Sequence, residues 1–233
     1  MSEQMSQNRR FDAVVFDLDG TLLYTLEDIA AALNHALAQH GLQTYSVDAV
    51  RGFLGRGFKR LVSCAVPSLP VGSQAYRQLL SDFAGYYTDH CQDRTVPYPG
   101  VVSLLEHLEA AGVRTAIASN KGDVAVKKLA SYHFSGLIGP DHAFGERPGL
   151  ERKPAPDIVC AALDALRTPP DRALYVGDSD VDFAVAENIP MSCCLVSWGF
   201  KDRSFLESLR GKDGVRAPRV VDDALSLEQV CLG

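Results

Sequence analysis

Phe11-Asp12-Ala13-Val14-Val15-Phe16-Asp17-Leu18-Asp19-Gly20-Thr21 decides the reading of the fold. Its first half is a short apolar run rich in β-branched and aromatic residues, the pattern of a buried strand. Its second half is an acidic turn closed by a glycine, so a strand opens into a polar loop. The same arrangement returns twice downstream. Residues 113–118 predict a strand that stops at Ser119-Asn120-Lys121, and residues 173–176 predict one that stops at Gly177-Asp178-Ser179-Asp180. Residues 191–196 predict a further strand. Helical patterns at 101–111, 124–132, 154–166 and 183–188 lie between and after them. Strands alternating with helices imply right-handed βαβ units and a parallel sheet. Residues 26–95 break the alternation. They carry three helical stretches, at 26–40, 50–66 and 76–90, and no strand pattern. Gly52, Gly55 and Gly57 interrupt the second. An all-helical insertion in an α/β domain accounts for this.

The chain has 233 residues, 46% of them hydrophobic and 22% charged, with a formal net charge of −6. That balance suits a soluble globular protein and argues against nucleic acid as the default partner, because phosphate backbones are held by basic faces. No apolar run approaches the ~20 residues of a membrane span, and residues 1–10 are polar, read as a loose tail without a secretory segment. The six cysteines stand at 64, 91, 160, 193, 194 and 231, with no CxxC pair. They read as reduced, mostly buried thiols of a cytoplasmic protein.

In open parallel sheets, ligands bind outside the carboxyl ends of the strands. The three polar loops therefore converge on one crevice. Asp17, Asp19, Asp178, Asp180 and Asp182 crowd a small volume, where close like charges repel by about 4 kcal/mol per pair at an effective dielectric near 20. Such a cluster calls for a cation. The loops hold oxygen ligands and no His or Cys, which favours Mg²⁺ over zinc. Lys153 adds a positive charge, and Ser119 and loop amides add donors. Together these make a phosphate site.

These residues resemble the haloacid dehalogenase superfamily, and within it the phosphoglycolate phosphatase group. Asp17-Leu18-Asp19-Gly20-Thr21 is similar to the family's DxDGT signature, Ser119-Asn120 to its second motif and Lys153 in Lys-Pro-Ala-Pro-Asp to its third. Gly177-Asp178-Ser179 with Asp182 is similar to its fourth. The resemblance implies a Rossmann-like parallel core over 11–24 and 96–233 and a small helical cap over 25–95. It implies that Asp17 is the nucleophile and forms an aspartyl-phosphate. Asp19 is then general acid for the leaving alcohol and base for water. Thr21, Ser119, Asn120 and Lys153 surround the phosphoryl group, and Lys153 also steadies Asp17. Asp17, the backbone carbonyl of Asp19 and Asp178 ligate Mg²⁺, with Asp182 as ligand or as an orienting neighbour. Asp180 reads more readily as a helix cap than as a ligand. One departure lies at Tyr24-Thr25, where many relatives carry Asp-Ser. That position falls at the cap hinge rather than among the reacting groups.

The insertion carries Leu54-Gly55-Arg56-Gly57-Phe58-Lys59. Glycines on both sides of Arg56 free the backbone to turn a cation toward a substrate, and the phosphoglycolate phosphatase group has a similar loop. Arg56 is the candidate reader of a substrate carboxylate or phosphate, with Lys59 assisting. The expected substrate is a small phosphorylated metabolite such as 2-phosphoglycolate, handled by a monomer or dimer without nucleic acid or membrane. A phosphomutase resembling β-phosphoglucomutase, another sugar-phosphate phosphatase, or a phospho-accepting regulatory module are the competing readings.

Overall fold

The computed structural model describes residues 10–233. The tail expected over 1–10 therefore lies, apart from Arg10, outside the described residues. The chain divides into two compact units. One holds the described residues up to Leu22 together with Pro97–Gly233, and the other holds Leu23–Val96.

The first unit is built on strand β1 (Ala13–Phe16), all four of whose residues are buried. A strand buried on both faces reads as a continuous apolar run, which is why Ala-Val-Val-Phe takes the middle of the sheet. Strands β4 (Arg114–Gly122), β5 (Ala143–Glu146), β6 (Ala173–Gly177), β7 (Ser192–Val196) and β8 (Arg219–Val221) complete a six-stranded sheet in the order β5-β4-β1-β6-β7-β8. Every pairing is parallel, and Val15 stands opposite Ala116 on one side and Tyr175 on the other. One face of β1, β4 and β6 packs against two helices, Asp157–Leu166 and Asp180–Asn188, which come before and after β6 in the chain. Their Ile158, Val159, Ala162, Leu163, Val185 and Ala186 join one buried cluster with Val15, Ala118 and Tyr175.

Two expectations from sequence need correction here. Ser119-Asn120-Lys121 is not a loop beyond β4 but its last turn of strand. The pairing with β5 shifts register between Ala118 and Gly122, and all three residues are buried. A bulge of this kind bends a strand and re-aims its side chains while keeping it in the sheet. The second correction concerns β5 and β8, which carry no strand signal of their own. They have four and three residues and sit at the two edges of the sheet, where a neighbour's hydrogen bonds rather than intrinsic pattern decide the conformation.

The second unit contains α1 (Leu26–Gln39), α2 (Val47–Arg51), α3 (Gly57–Ala65) and α4 (Gln74–His90). Short strands β2 (Leu23–Tyr24) and β3 (Val96–Pro97) pair with each other. The stretch expected as one interrupted helix over 50–66 is thus two helices. Residues 52–56 separate them: Gly55 takes φ of 105° between the two, and Gly57 opens α3 with φ of 74°. Ser46 and Ser73 cap α2 and α4, accepting hydrogen bonds from the amides of Ala49 and Tyr76. Leu33 and Leu37 of α1 and Leu79, Phe83 and Tyr87 of α4 are fully buried. Each such side chain contributes about 1.5–3 kcal/mol. Phe58 of α3 meets Phe83 and Tyr87 edge-on at 4.6 and 5.2 Å between ring centroids. Among the described residues no helix is long and apolar enough to cross a membrane. The six cysteines are free thiols; Cys91, Cys194 and Cys231 are buried and Cys160 is exposed, so the expectation of mostly buried thiols holds for half of them.

Candidate active site

The carboxyl ends of β1, β4, β6 and β7 meet in the first unit. The remaining helices there are α5 (Val101–Ala110), α6 (Asp123–His133), α7 (Asp157–Leu166), α8 (Asp180–Asn188), α9 (Arg203–Ser208) and α10 (Ala224–Leu232). Asp17 follows β1 directly, and its amide donates to the Val176 carbonyl of β6 at 2.8 Å, so the ladder extends to Asp17 itself. Gly20 turns the loop with φ of 85°. A Cβ there would lie 2.2 Å from Asp178 Oδ2, so this position needs glycine for conformation and for space.

Lys153, just before α7, is buried, and its Nζ spends all three hydrogens on protein partners. It lies 2.8 Å from Asp17 Oδ1, Asp182 Oδ1 and the Tyr175 hydroxyl. Burial alone would lower this ammonium, but the two carboxylates outweigh that and hold it above the usual lysine range. The arrangement fixes Asp17 rather than leaving Lys153 open toward a ligand. Asn120 supports it: its Nδ2 donates to the Lys153 carbonyl at 2.9 Å.

Asp182 is similarly committed. Oδ1 takes Lys153 and Tyr175, while Oδ2 accepts from the amides of Asp178 and Ser179 and from the Ser179 hydroxyl at 3.2, 3.1 and 2.5 Å. Ser179 and Asp182 form a capping box at the start of α8, so the cap expected of Asp180 falls to Ser179. Asp178 Oδ2 accepts from the Phe200 amide at 2.7 Å.

Carboxylate oxygens of Asp17, Asp178 and Asp182 lie within 4.8 Å of one another, all buried. Burial pushes the Asp17 carboxyl up to about 7; Lys153 opposes this, and Asp182 and Asp19 add to it. Burial and then Asp182 and Asp17 drive Asp178 well above the usual carboxylate range. Four aspartates, Asp17, Asp19, Asp178 and Asp182, face two lysines, Lys121 and Lys153, which leaves a formal excess of two negative charges. One divalent cation balances it, and an all-oxygen donor set suits a hard ion such as Mg²⁺. Among the described residues, Thr21 Oγ1 and Asn120 Oδ1 are buried with no protein partner for hydrogen bonding. Buried polar atoms left so cost about 1–3 kcal/mol each, and a ligand held there would recover it. Ser119 Oγ accepts from the Lys121 amide at 3.3 Å, which leaves its hydrogen available to donate.

Sequence reading gave three participants no part in the chemistry, although it set Trp198-Gly199 as a candidate for the rim of the crevice. Tyr175 looked like a core strand residue, and its hydroxyl sits under Lys153. Trp198-Gly199-Phe200 after β7 clasps two loops at once: the Trp198 indole donates to the Thr21 carbonyl at 3.1 Å, and the Phe200 amide holds Asp178. Lys121 stood in the quoted Ser-Asn-Lys stretch without a role, yet its Nζ lies 2.8 Å from Asp19 Oδ1. Arg56, Lys59, Tyr24 and Thr25 belong to the second unit.

A parallel sheet with an Asp-x-Asp loop after its central strand, a lysine on the first Asp and a second acidic loop beside it defines a phosphoryl-transfer type of hydrolase core. The model of the haloacid dehalogenase-like hydrolases matches residues 14–196, and the chain belongs to that family. It is 32% identical over 192 residues to the phosphoglycolate phosphatase of Aquifex aeolicus, covering 80% of this chain and 85% of the relative. It is 33% identical over 195 residues to that of Cereibacter sphaeroides, covering 81% and 86%. A crystal structure of a candidate phosphoglycolate phosphatase from Lactobacillus delbrueckii subsp. bulgaricus superposes with a TM-score of 0.84 at 34% identity, over 96% of this chain and 99% of that one. By this kinship the chain is an enzyme of the phosphatase kind.

Proposed function

We propose that the chain is a Mg²⁺-dependent phosphomonoester hydrolase that works through a phosphorylated Asp17, with 2-phosphoglycolate as its substrate. The observation that carries the mechanism is Asp17 held by Lys153 at 2.8 Å beside the buried carboxylates of Asp178 and Asp182. Mg²⁺ would be held by Asp17, the Asp19 carbonyl and Asp178, and when bound it neutralises carboxylate and phosphoryl charge. Asp182, with both oxygens taken by protein donors, orients Lys153 and the loop that carries Asp178. Asp17 attacks phosphorus in line while Asp19 gives its proton to the departing ester oxygen. Asp19 then takes a proton from the water that attacks the phosphorylated Asp17. Thr21 and Ser119 donate to phosphoryl oxygens. Asn120 sets the Lys153 loop.

The substrate is inferred from the relatives named above and from Arg56. We assign substrate selection to the inserted helical unit, where Arg56 pairs with the carboxylate of the substrate. Phosphate release from a panel of phosphoesters, measured with Mg²⁺ and with EDTA, tests both parts. Release that needs Mg²⁺ and is led by 2-phosphoglycolate supports them. Release led by another ester keeps the mechanism and discards the substrate. Asp17→Asn should lower turnover at least about a thousandfold on every ester with the fold intact. Retained activity in that variant would overturn the nucleophile.

A further inference from the structure

Lys121 is a second buried lysine in the site, and the mechanism above does not use it. Its side chain is 0% exposed, while that of Asp19, its partner at 2.8 Å, is 21% exposed. Burying an ammonium costs several kcal/mol unless a charge meets it, so a fold keeps one only where it is paired. Lys153 already serves Asp17 and Asp182, and Lys121 serves the other aspartate of the loop.

The backbone under Lys121 is closely defined. It lies in the bulged end of β4, and its amide donates to Ser119 Oγ. Gly145 of β5 abuts it so closely that a Cβ there would lie 2.5 Å from the Lys121 carbonyl oxygen, and the Gly145 amide donates to Asp123 Oδ1 at 3.0 Å. A long side chain on a fixed backbone thus reaches one oxygen of Asp19.

We propose that Lys121 is a positioning residue for Asp19: by holding Oδ1 it sets the orientation in which the carboxyl gives and takes its proton. This rests on the reading of Asp19 as general acid and base. In the first half-reaction the bond from Asp17 to phosphorus forms and the ester P–O bond breaks. The Asp19 carboxyl proton passes to the leaving oxygen. In the second, water oxygen bonds to phosphorus, the Asp17–phosphorus bond breaks and a water proton returns to the Asp19 carboxylate. Lys121 keeps its three protons throughout. Without the tether the carboxyl loses a charged restraint, and the geometry needed for proton transfer is populated less often.

The test is the dependence on leaving group. Esters with alkyl leaving groups need the acid, and 2,4-dinitrophenyl phosphate, whose leaving group departs as an anion, needs it little. Asp19→Asn sets the reference, with an expected loss in kcat of about 10²–10⁴-fold on the alkyl phosphate that the panel ranks first, and below about tenfold on the aryl ester. Lys121→Met should reproduce the pattern at smaller size, about 100-fold against about threefold, with KM shifted less than about threefold on each. Lys121→Arg should recover part of the alkyl rate, and the Asp19→Asn, Lys121→Met double variant should be no slower than Asp19→Asn alone. If Lys121→Met does not fold, as judged by circular dichroism, Lys121→Gln is read by the same ratio. Equal losses on both esters, or losses that multiply in the double variant, overturn the positioning role. Equal losses on both esters in Asp19→Asn itself overturn the acid–base reading and the tether with it. The panel and Asp17→Asn still report separately on phosphatase action.

Discussion

Asp17 carries a carboxyl raised from 3.8 to about 7, with burial as the main cause. The folded chain therefore keeps a proton that the unfolded chain releases, and between these values the metal-free protein loses stability as pH rises. One such group contributes a slope of about 1.4 kcal/mol per pH unit. Asp178 is shifted in the same direction. The surface carboxylates of Asp82, Asp213 and Asp222 are held below the usual range, so their stabilisation is lost only on acidification below this window. Urea midpoints in EDTA should fall from about pH 4.5 to about pH 7, and Asp17→Asn should flatten part of that fall. An unchanged slope in the variant would count against the shift. At Gly20 the prediction is steric. Gly20→Ala sets a methyl 2.2 Å from Asp178 Oδ2 at a φ of 85°, so it should lower kcat at least about 100-fold and destabilise by about 1–3 kcal/mol. Activity assay and thermal unfolding read the two effects.

At the scale of the element, the segment after β7 and the start of α1 act as clasps. Trp198 is the one tryptophan of the chain, and its indole holds the carbonyl of Thr21, four residues from Asp17. Its fluorescence should therefore change when Mg²⁺ and orthovanadate are added together. Trp198→Phe should cost about 1 kcal/mol of stability, the worth of one hydrogen bond. A fluorescence signal indifferent to both additions would show that the clasp does not sense the site. In the second unit Asp28 of α1 is buried and accepts from the amides of Arg94 and Thr95 and from the Thr95 hydroxyl at 2.8–3.0 Å. Asp28→Ala leaves those donors buried without an acceptor and should lower stability by about 2–4 kcal/mol in urea unfolding.

For the whole molecule, the sheet order decides what the site couples. β1 lies between β4 and β6, so residues 17, 119–121 and 178–182 meet although more than a hundred residues separate the first from the rest. A cation bound across the β1 and β6 loops is held by the folded chain and not by the unfolded one. Saturating Mg²⁺ should then raise stability by about 2.7 kcal/mol at a hundredfold excess over its Kd, and EDTA should reverse the gain. Asp178→Ala should remove most of this thermal shift. An equal shift in the variant would place the ion elsewhere.

Much of this protein is legible in local sequence. Ala-Val-Val-Phe running into Asp-x-Asp-Gly-Thr declares a buried strand and its polar turn, because burial period and turn chemistry are properties of neighbours along the chain. The alternation after residue 100 declares a parallel sheet, and the helical stretch of 26–90 declares an insertion. Asp17, Asp19, Asp178 and Asp182 stand out because an acidic turn after an apolar run repeats, and Ser119 and Lys153 stand out through their likeness to the family's motifs. Tertiary structure decided the rest. Lys121 on Asp19, Tyr175 under Lys153 and Trp198 on Thr21 are pairings through space between distant segments. No periodicity encodes them. They follow from the bulge in β4, from the order of strands and from a low-dielectric interior that forces each buried charge and donor to find a partner. Edge strands β5 and β8 likewise exist because a neighbour offers hydrogen bonds, which no window of three or four residues can announce.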